Sequence, residues 1–517
     1  MEMGEIILQQ TIATAVIFAV IGFVVSAGVC YALLRFWPKG AGWDSGDLFR
    51  KSQQKPVLRL GGVAILAGLL VFSVASIISY DHIGSRVGEP WKIILVCLLF
   101  FGIGVFDDLF QVSAMVKLVA QIAVATFAYN LGIRIELLSE PFGGTSTQLL
   151  GLSFPVTVLW LIAIPNLINL VDGMDGLAGG VGISLAGTLA VVSWMSGDLF
   201  MMALCLGMVG SIAGFLLFNL PRARIYLGDG GAYLLGAFIA TTSASASQKG
   251  AVAGALFVVV LALALPIADT VFAILRRAFY GLPVWRADSE HIHHRLVTLG
   301  FRKGMVIGGM IAVVLISSLL GLSLVMDKGE SWPVVLTITV IAGLFLIRIL
   351  GYWGSFGAFR QHIRRILTTR ERVRYAYSLG TVLEHEIDRA PSADQFWGDF
   401  RRSMEKVGLF PQSLVQEKTG AQGDGDTESG DSEAFECLDI NMTNGQLWKL
   451  QHRPGTAEMH WGKVAACFLG PLSRGISKWG HIPRDLGMDH AIDSEVINIP
   501  KSTSIKNVSE SGEFKAI

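Results

Sequence analysis

The chain has 517 residues, of which 52% are hydrophobic and only 16% charged, and its formal net charge is zero. Soluble globular domains carry about 25% charged residues, so the composition excludes an ordinary soluble protein. The neutrality likewise excludes a global attraction for nucleic acid. The five cysteines, Cys30, Cys97, Cys205, Cys437 and Cys467, show no CxxC spacing and read as free thiols.

From the start of the chain, an apolar run over Ile12–Leu34 is long enough to span a bilayer. Glu2 and Glu5 precede it, with no Lys or Arg, so it reads as a retained helix rather than a signal peptide. About ten further apolar segments follow, centred near residues 68, 98, 122, 158, 184, 208, 238, 261, 315 and 341. Loops on one side carry Arg35, Lys39, Arg50, Lys51, Lys55 and Arg59, then Lys117, then Arg222 and Arg224, then Arg276, Arg277, Arg286, Arg295, Arg302 and Lys303. The other side carries only Arg86, Lys92, Arg134, Lys249 and Lys328. Short-loop Lys and Arg mark the cytoplasm. The expectation is therefore an all-α polytopic membrane protein of about eleven transmembrane helices, with its N-terminus outside and its C-terminus in the cytoplasm.

Residues 1–351 read as the membrane domain. Residues 352–419 read as a basic juxtamembrane helical region, with Arg360, Arg364, Arg365, Arg370, Arg372 and Arg374 interleaved with Ile363, Ile366, Leu367 and Val373. Such a stretch suits either the anionic inner leaflet or a solvated helix. Residues 420–433 are acidic and low in complexity, reading as a disordered linker. Residues 434–517 read as a small, partly disordered cytoplasmic α+β tail with a hairpin signal at Asn444-Gly445. No chemistry is legible in that tail, which reads as a tethered module dispensable for catalysis.

The predicted topology brings Asp107, Asp108, Asp172, Asp175, Asp229 and Asp269 to one membrane face, with His291, His293 and His294. Charge beside a bilayer core is costly and therefore functional by default. Adjacent carboxylates such as Asp107-Asp108 repel unless a cation or proton separates them. In NLINLVDGMDG, Asn166, Asn169, Asp172 and Asp175 recur every third residue, a slanted ridge on a helix. Asp229 lies between glycines before a predicted helix start, where free N–H groups favour anions. His291-Ile-His293-His294-Arg295 lacks the spacing of a zinc site and better suits a pyrophosphate.

These residues resemble the polyprenyl-phosphate N-acetylhexosamine-1-phosphate transferases. The pieces that carry the resemblance are GVFDDLF (104–110) with Lys117, NLINLVDGMDGLAGG (166–180), FNLPRARIYLGDGGAYLLG (218–236), PIADTVFAILRR (266–277) and HIHHR (291–295), in family order. Eleven helices resemble the bacterial undecaprenyl-phosphate N-acetylglucosamine-1-phosphate branch. The lipid I enzymes of the same superfamily have ten helices and a His-His-His run, which HIHH breaks. In the first cytoplasmic loop, RKSQQKPVLRLGG, Gln53 stands for the family's His and Leu58 for a Pro, while Arg50 and Arg59 remain.

The resemblance implies attack of undecaprenyl phosphate on the β-phosphate of a UDP-N-acetylhexosamine, releasing UMP. It implies Mg²⁺ or Mn²⁺ held by Asn169 and Asp229. Asp107 and Asp108 would lie near the lipid phosphate, one of them a candidate base, and Lys117 would neutralise a phosphate. Asp175 and Tyr226 would take the uracil. His291, His293, His294 and Arg295 would hold the diphosphate and sugar, with Arg50 and Arg59 also binding substrate and Asn166, Asp172, Asn219 and Asp269 supporting the site. The product would start a cell-envelope glycan such as O-antigen or a teichoic-acid-like polymer at the inner membrane. The oligomeric state, a homodimer included, and a glycosyltransferase partner for the tail stay open. A transporter is the alternative of a different class; transporter sites lie near the midplane, whereas these acids gather at one edge. A scaffold whose tail binds partners leaves the acids unexplained.

Overall fold

The computed structural model describes residues 2–38, 43–44, 57–80, 90–110, 112–138, 147–248, 255–283, 291–327, 330–349, 356–411, 436–442, 447–452, 461–479 and 505–508. Arg50 and the acidic stretch 420–433 lie outside them, as do the turn residues Asn444 and Gly445. The chain divides into two compact units. The first comprises Met1–Asp44, Val57–Val271 and Glu290–Leu350; the second comprises Ser45–Pro56, Phe272–Ser289 and Gly351–Ile517.

The first unit is helical. Its elements are α1 (Glu2–Phe36), α2 (Gly61–Tyr80), α3 (Pro90–Phe110), α4 (Ala114–Asn130), α5 (Ser153–Val171), α6 (Leu177–Met195), α7 (Leu199–Asn219), α8 (Gly228–Gln248), α9 (Ala255–Ala262), α10 (Ala264–Tyr280, which runs on into the second unit), α11 (Ile292–Thr298), α12 (Lys303–Met326) and α13 (Trp332–Ile349). Among the described residues, six helices are long and apolar enough to cross a membrane; α9 and α10, bent by 61°, make a seventh if they form one span. The chain is a multi-pass, mainly helical membrane protein in this unit. The bend has a local cause: Pro266 has no N–H to offer the Ala262 carbonyl, so the helical ladder breaks between Ala262 and Ala264.

In a bilayer there is no water to drive helices together, so close packing of small residues must do it. α1 meets α7 in this way: a Cβ at Gly210 would stand 1.9 Å from the Ala19 carbonyl oxygen. α5 meets α8 through Trp160, whose Nε1 donates to the Ala240 carbonyl and to Ser243 Oγ, both at 3.2 Å. Phe100, Phe215, Phe238, Ile65 and Leu69 are fully buried in the core these helices share.

Two short strand pairs edge this unit, β1 (Trp43–Asp44) with β2 (Val57–Leu58) and β3 (Leu137–Leu138) with β4 (Thr147–Gln148). Leu58 also bridges Ile225, Tyr226 N donates to Leu58 O at 2.7 Å, and Gly61 N donates to Tyr226 O at 2.9 Å. The end of the first loop is thereby tied to the connection before α8.

The second unit mixes helix and strand. α14 (Phe356–Glu386) and α15 (Ala393–Val407) pack with an antiparallel sheet of β5 (Leu409–Pro411), β6 (Glu436–Met442), β7 (Leu447–His452) and β8 (Ile505–Val508), in the order β5-β7-β6-β8. α16 (Trp461–Ala465) and α17 (Leu469–Trp479) complete it. Ser392 caps α15 at Gln395 N, and Gly408 ends it in the left-handed conformation at φ +88°. Phe396, Trp397, Phe400 and Phe468 form its core with Val373 of α14, Leu438 of β6 and Leu450 of β7. The residues either side of 420–433 therefore share one core with the helix that opens with the basic stretch.

The α1–α7 contact yields a first prediction. Gly210→Leu should destabilise the folded protein by about 1–3 kcal/mol through overpacking, read as a lower melting temperature in detergent, whereas Gly308→Leu on α12, where a Cβ would meet nothing within 4 Å, should be milder; equal losses would refute the close approach.

Candidate active site

The apolar run of α3 ends in Asp107 and Asp108. Asp107 is buried and Asp108 half-buried. Ser113 caps the start of α4, accepting from Val116 N, and so sets Lys117 in its first turn. Lys117 Nζ lies 2.7 Å from Asp107 Oδ2 and 4.0 Å from Asp229 Oδ2. One ammonium thus serves two carboxylates from different helices.

Asp229 occupies the first turn of α8. Gly228 before it has φ +76°, and a Cβ there would stand 2.6 Å from the Arg59 carbonyl and 2.8 Å from Asp108 Oδ2, so only glycine fits. Asp108 Oδ2 accepts the Gly230 N–H at 3.1 Å, and the Asp229 N–H also points to this carboxylate. A carboxylate is well suited to the positive N-terminal end of a helix. The Asp229 carboxyl is within hydrogen-bonding reach of Asn169 on α5 and of Asp107. Three carboxylates therefore converge with Lys117, and the charge of Arg59 bears on Asp108. Five polar side chains meet here from four helices, and the cluster holds more negative than positive charge.

A second tier lies one turn further along the same helices. Gln121 follows Lys117 by four residues, and Tyr233 follows Asp229 by four, the spacing that stacks side chains on one helix face. Asn166 Nδ2 donates to Gln121 Oε1 at 2.8 Å and to Ile162 O at 2.7 Å, and Tyr233 stands 3.5 Å from Asn166 Oδ1. Gln121 and Tyr233 are site residues that the sequence reading missed; their i+4 spacing from Lys117 and Asp229 was the available signal.

The loop after α5 is braced against the connection before α8. Asn219, buried, accepts from Gly176 N through Oδ1 and donates to Ile225 O through Nδ2, both at 2.9 Å. Asp175 Oδ2 accepts from Ala223 N at 3.1 Å. That bond holds the residue after Arg222, which sits at φ +74°, a conformation that costs a non-glycine residue about 1 kcal/mol or more. Asn219 has spent both ends of its amide on this brace. Asp172 and Tyr226 are half-buried on the two sides of it.

A third group forms around Asp269 on α10. Its Oδ2 lies 3.1 Å from His291 Nδ1, and its Oδ1 accepts from Ile292 N at 3.1 Å. One carboxylate thus holds the imidazole and caps the short α11. His293, His294 and Arg295 lie on that helix; Arg295 is half-buried, and the side chains of the two histidines are outside the described residues. Leu170 and Val171 at the end of α5 line a groove with Asp269, His291 and Met310, so this pair borders the segment that carries Asn169 and Asp172.

The profile of glycosyl transferase family 4 matches residues 90–247. The chain is 33% identical over 301 residues, 58% of its own length and 79% of the relative's, to the probable undecaprenyl-phosphate N-acetylglucosaminyl 1-phosphate transferase of Bacillus subtilis. It is 32% identical over 276 residues, 53% of its length and 79% of the relative's, to an undecaprenyl-phosphate alpha-N-acetylglucosaminyl 1-phosphate transferase of Thermotoga maritima. It is 29% identical over 279 residues, 51% of its length and 83% of the relative's, to a phospho-N-acetylmuramoyl-pentapeptide-transferase of Staphylococcus carnosus.

The Lys117–Asp107 pair yields a second prediction. Lys117→Met leaves a buried carboxylate without its partner and should cost about 1–3 kcal/mol of stability. Adding Asp107→Asn should return part of that loss in a double-mutant cycle. Strictly additive melting-temperature shifts would show that the two groups do not interact.

Proposed function

The chain belongs to glycosyl transferase family 4 and is a membrane transferase of sugar phosphate onto polyprenyl phosphate, and from that premise we propose its donor, acceptor and orientation. The donor is a UDP-N-acetylhexosamine, UDP-N-acetylglucosamine first among them, and the acceptor is undecaprenyl phosphate. An oxygen of the lipid phosphate attacks the β-phosphorus of the donor; the bond from that phosphorus to the bridging oxygen breaks, and UMP leaves. The product is a lipid-diphosphate sugar that starts a cell-envelope glycan. The observation that carries this reading is the convergence of Asp107, Asp108, Lys117, Asn169 and Asp229 at the end of α3 and the start of α8.

Phosphoryl transfer asks little of a protein beyond positioning and charge neutralisation. Lys117, poised between two carboxylates, would transfer part of its interaction to the incoming phosphate. Asp107 would keep that ammonium oriented, and a phosphate dianion needs no further base. Asp108, engaged at the α8 N-terminus, would hold Asp229 in register rather than meet substrate.

Asp229 and Asn169 offer hard oxygen donors in an electronegative cluster, which fits Mg²⁺ or Mn²⁺. When bound, the ion would neutralise the diphosphate and the leaving UMP. The groups left for the nucleotide and sugar are Asp175 and Tyr226 at the uracil and His291 and Arg295 at the diphosphate end. The Lys and Arg bias of the loops supports an outside N-terminus and an active site facing the cytoplasm.

Purified protein given undecaprenyl phosphate and a panel of UDP-sugars should form a lipid-diphosphate N-acetylhexosamine, identified by mass spectrometry. No lipid-linked product from any UDP-N-acetylhexosamine would sink the reading. EDTA should abolish turnover, and Asp229→Asn should lower it by about a hundredfold or more; full activity in either case would remove the cation from the mechanism. A cysteine placed at position 172 should resist impermeant label in intact cells, and one at 247 should react; the reverse pattern would invert the orientation.

A further inference from the structure

Pro165 stands inside α5 and has no N–H to offer the Leu161 carbonyl. The end of α5, which carries Asn166 and Asn169, is therefore joined to the rest of the helix across a missing rung. It is held from outside instead. α8 meets α5 at backbone distance here: a Cβ at Gly236 would stand 2.3 Å from Pro165 Cα. The Tyr233 hydroxyl, on the same helix, stands 3.5 Å from Asn166 Oδ1. Asn166 Nδ2 donates to Ile162 O at 2.7 Å, strapping the helix across the proline, and to Gln121 Oε1 of α4 at 2.8 Å. Gln121 is 1% exposed and Tyr233 2%, so water does not compete for these bonds. A buried hydroxyl is costly without a partner, and phenylalanine would fill the same space; the hydroxyl is the part of Tyr233 that packing does not require.

Three contacts step along the α5–α8 crossing: Gly236 on Pro165, Tyr233 on Asn166 and Asp229 on Asn169. On α4, Gln121 and Lys117 follow the last two levels. Each helix thus carries one member of the brace and, about one turn away, one member of the charged cluster. We propose that Tyr233 is a positioning residue for the cation site: through Asn166 its hydroxyl holds the proline-interrupted end of α5 and so keeps the Asn169 side chain on Asp229. The cation rests on the reading under Proposed function; the brace itself does not. Asn169 has only a short stretch of α5 behind it before the missing rung, so a small loss of restraint at Asn166 reaches it directly.

The test compares the full chain in detergent with Tyr233→Phe, Pro165→Ala and the double variant. Two readouts accompany turnover: Mn²⁺ affinity from the paramagnetic resonance signal of the free ion, and hydrogen exchange of residues 167–171. Asp229→Asn sets the background for ions bound elsewhere. Tyr233→Phe keeps the ring and should fold normally. Its Mn²⁺ binding should weaken about tenfold, the Mg²⁺ concentration for half-maximal turnover should rise by a similar factor, and residues 167–171 should exchange about fivefold faster or more. Pro165→Ala supplies the missing rung, so adding it to Tyr233→Phe should return most of both the Mn²⁺ affinity and the protection. Wild-type Mn²⁺ affinity in Tyr233→Phe would overturn the proposal, whether or not exchange quickens. Weakened Mn²⁺ binding with unchanged exchange at 167–171, or with no recovery in the double variant, would overturn the route through α5. A wild-type protein that binds no more Mn²⁺ than Asp229→Asn, yet whose exchange at 167–171 still responds to Tyr233→Phe, would support the brace and overturn the cation assignment instead.

Discussion

Asp108 accepts the Gly230 N–H across 3.1 Å, joining the end of α3 to the start of α8, and the polar arrangement of the protein depends on that bond. It can form only because the two helices approach at backbone distance: a Cβ at Gly104 would stand 2.4 Å from the Asp229 carbonyl. Packing and electrostatics are here one constraint. The small residue lets α8 come close, the free N–H groups of its first turn need an acceptor, and the carboxylate supplied by α3 answers both the hydrogen bonds and the helix dipole.

Once α8 is set, Asp229 faces Lys117 and Asn169, and the other polar groups fall into order around it. Asn166, Gln121 and Tyr233 form a tier beneath, each on a helix that also carries a member of the tier above. Such a network is expensive when half satisfied and rigidifying when complete. Asn219 and Asp175 perform a different task, tying two loops that would otherwise move independently. Several of these acidic and amide side chains thus serve to hold others in place.

The Asp269–His291 pair stands apart from this arrangement because its connection is a loop rather than a helix crossing. Asp269 is positioned by the break at Pro266 that redirects α10, and His291 is positioned by Asp269. The pair is thus built from the least repetitive part of the first unit, and the stretch between its two partners belongs to a different core.

Much of this was legible in the sequence. Hydropathy determines the apolar helices, because a bilayer leaves the backbone no alternative to internal hydrogen bonding. The predicted topology brings Asp107, Asp108 and Asp229 to one face, because charge at a membrane edge has few purposes other than function, and the family resemblance adds Asn169. Only the tertiary structure separates the roles within that list. Asp108 and Asp107 are neighbours of the same type, yet one caps α8 and the other holds Lys117, since helix rotation turns adjacent side chains about 100° apart. Gln121 and Tyr233 carry no charge to draw attention, and their part emerges only when α4, α5 and α8 meet. The membership of Tyr280 in the second core is further still from the sequence, because it depends on a contact with α14 across about ninety intervening residues, and no local pattern encodes a partner at that separation.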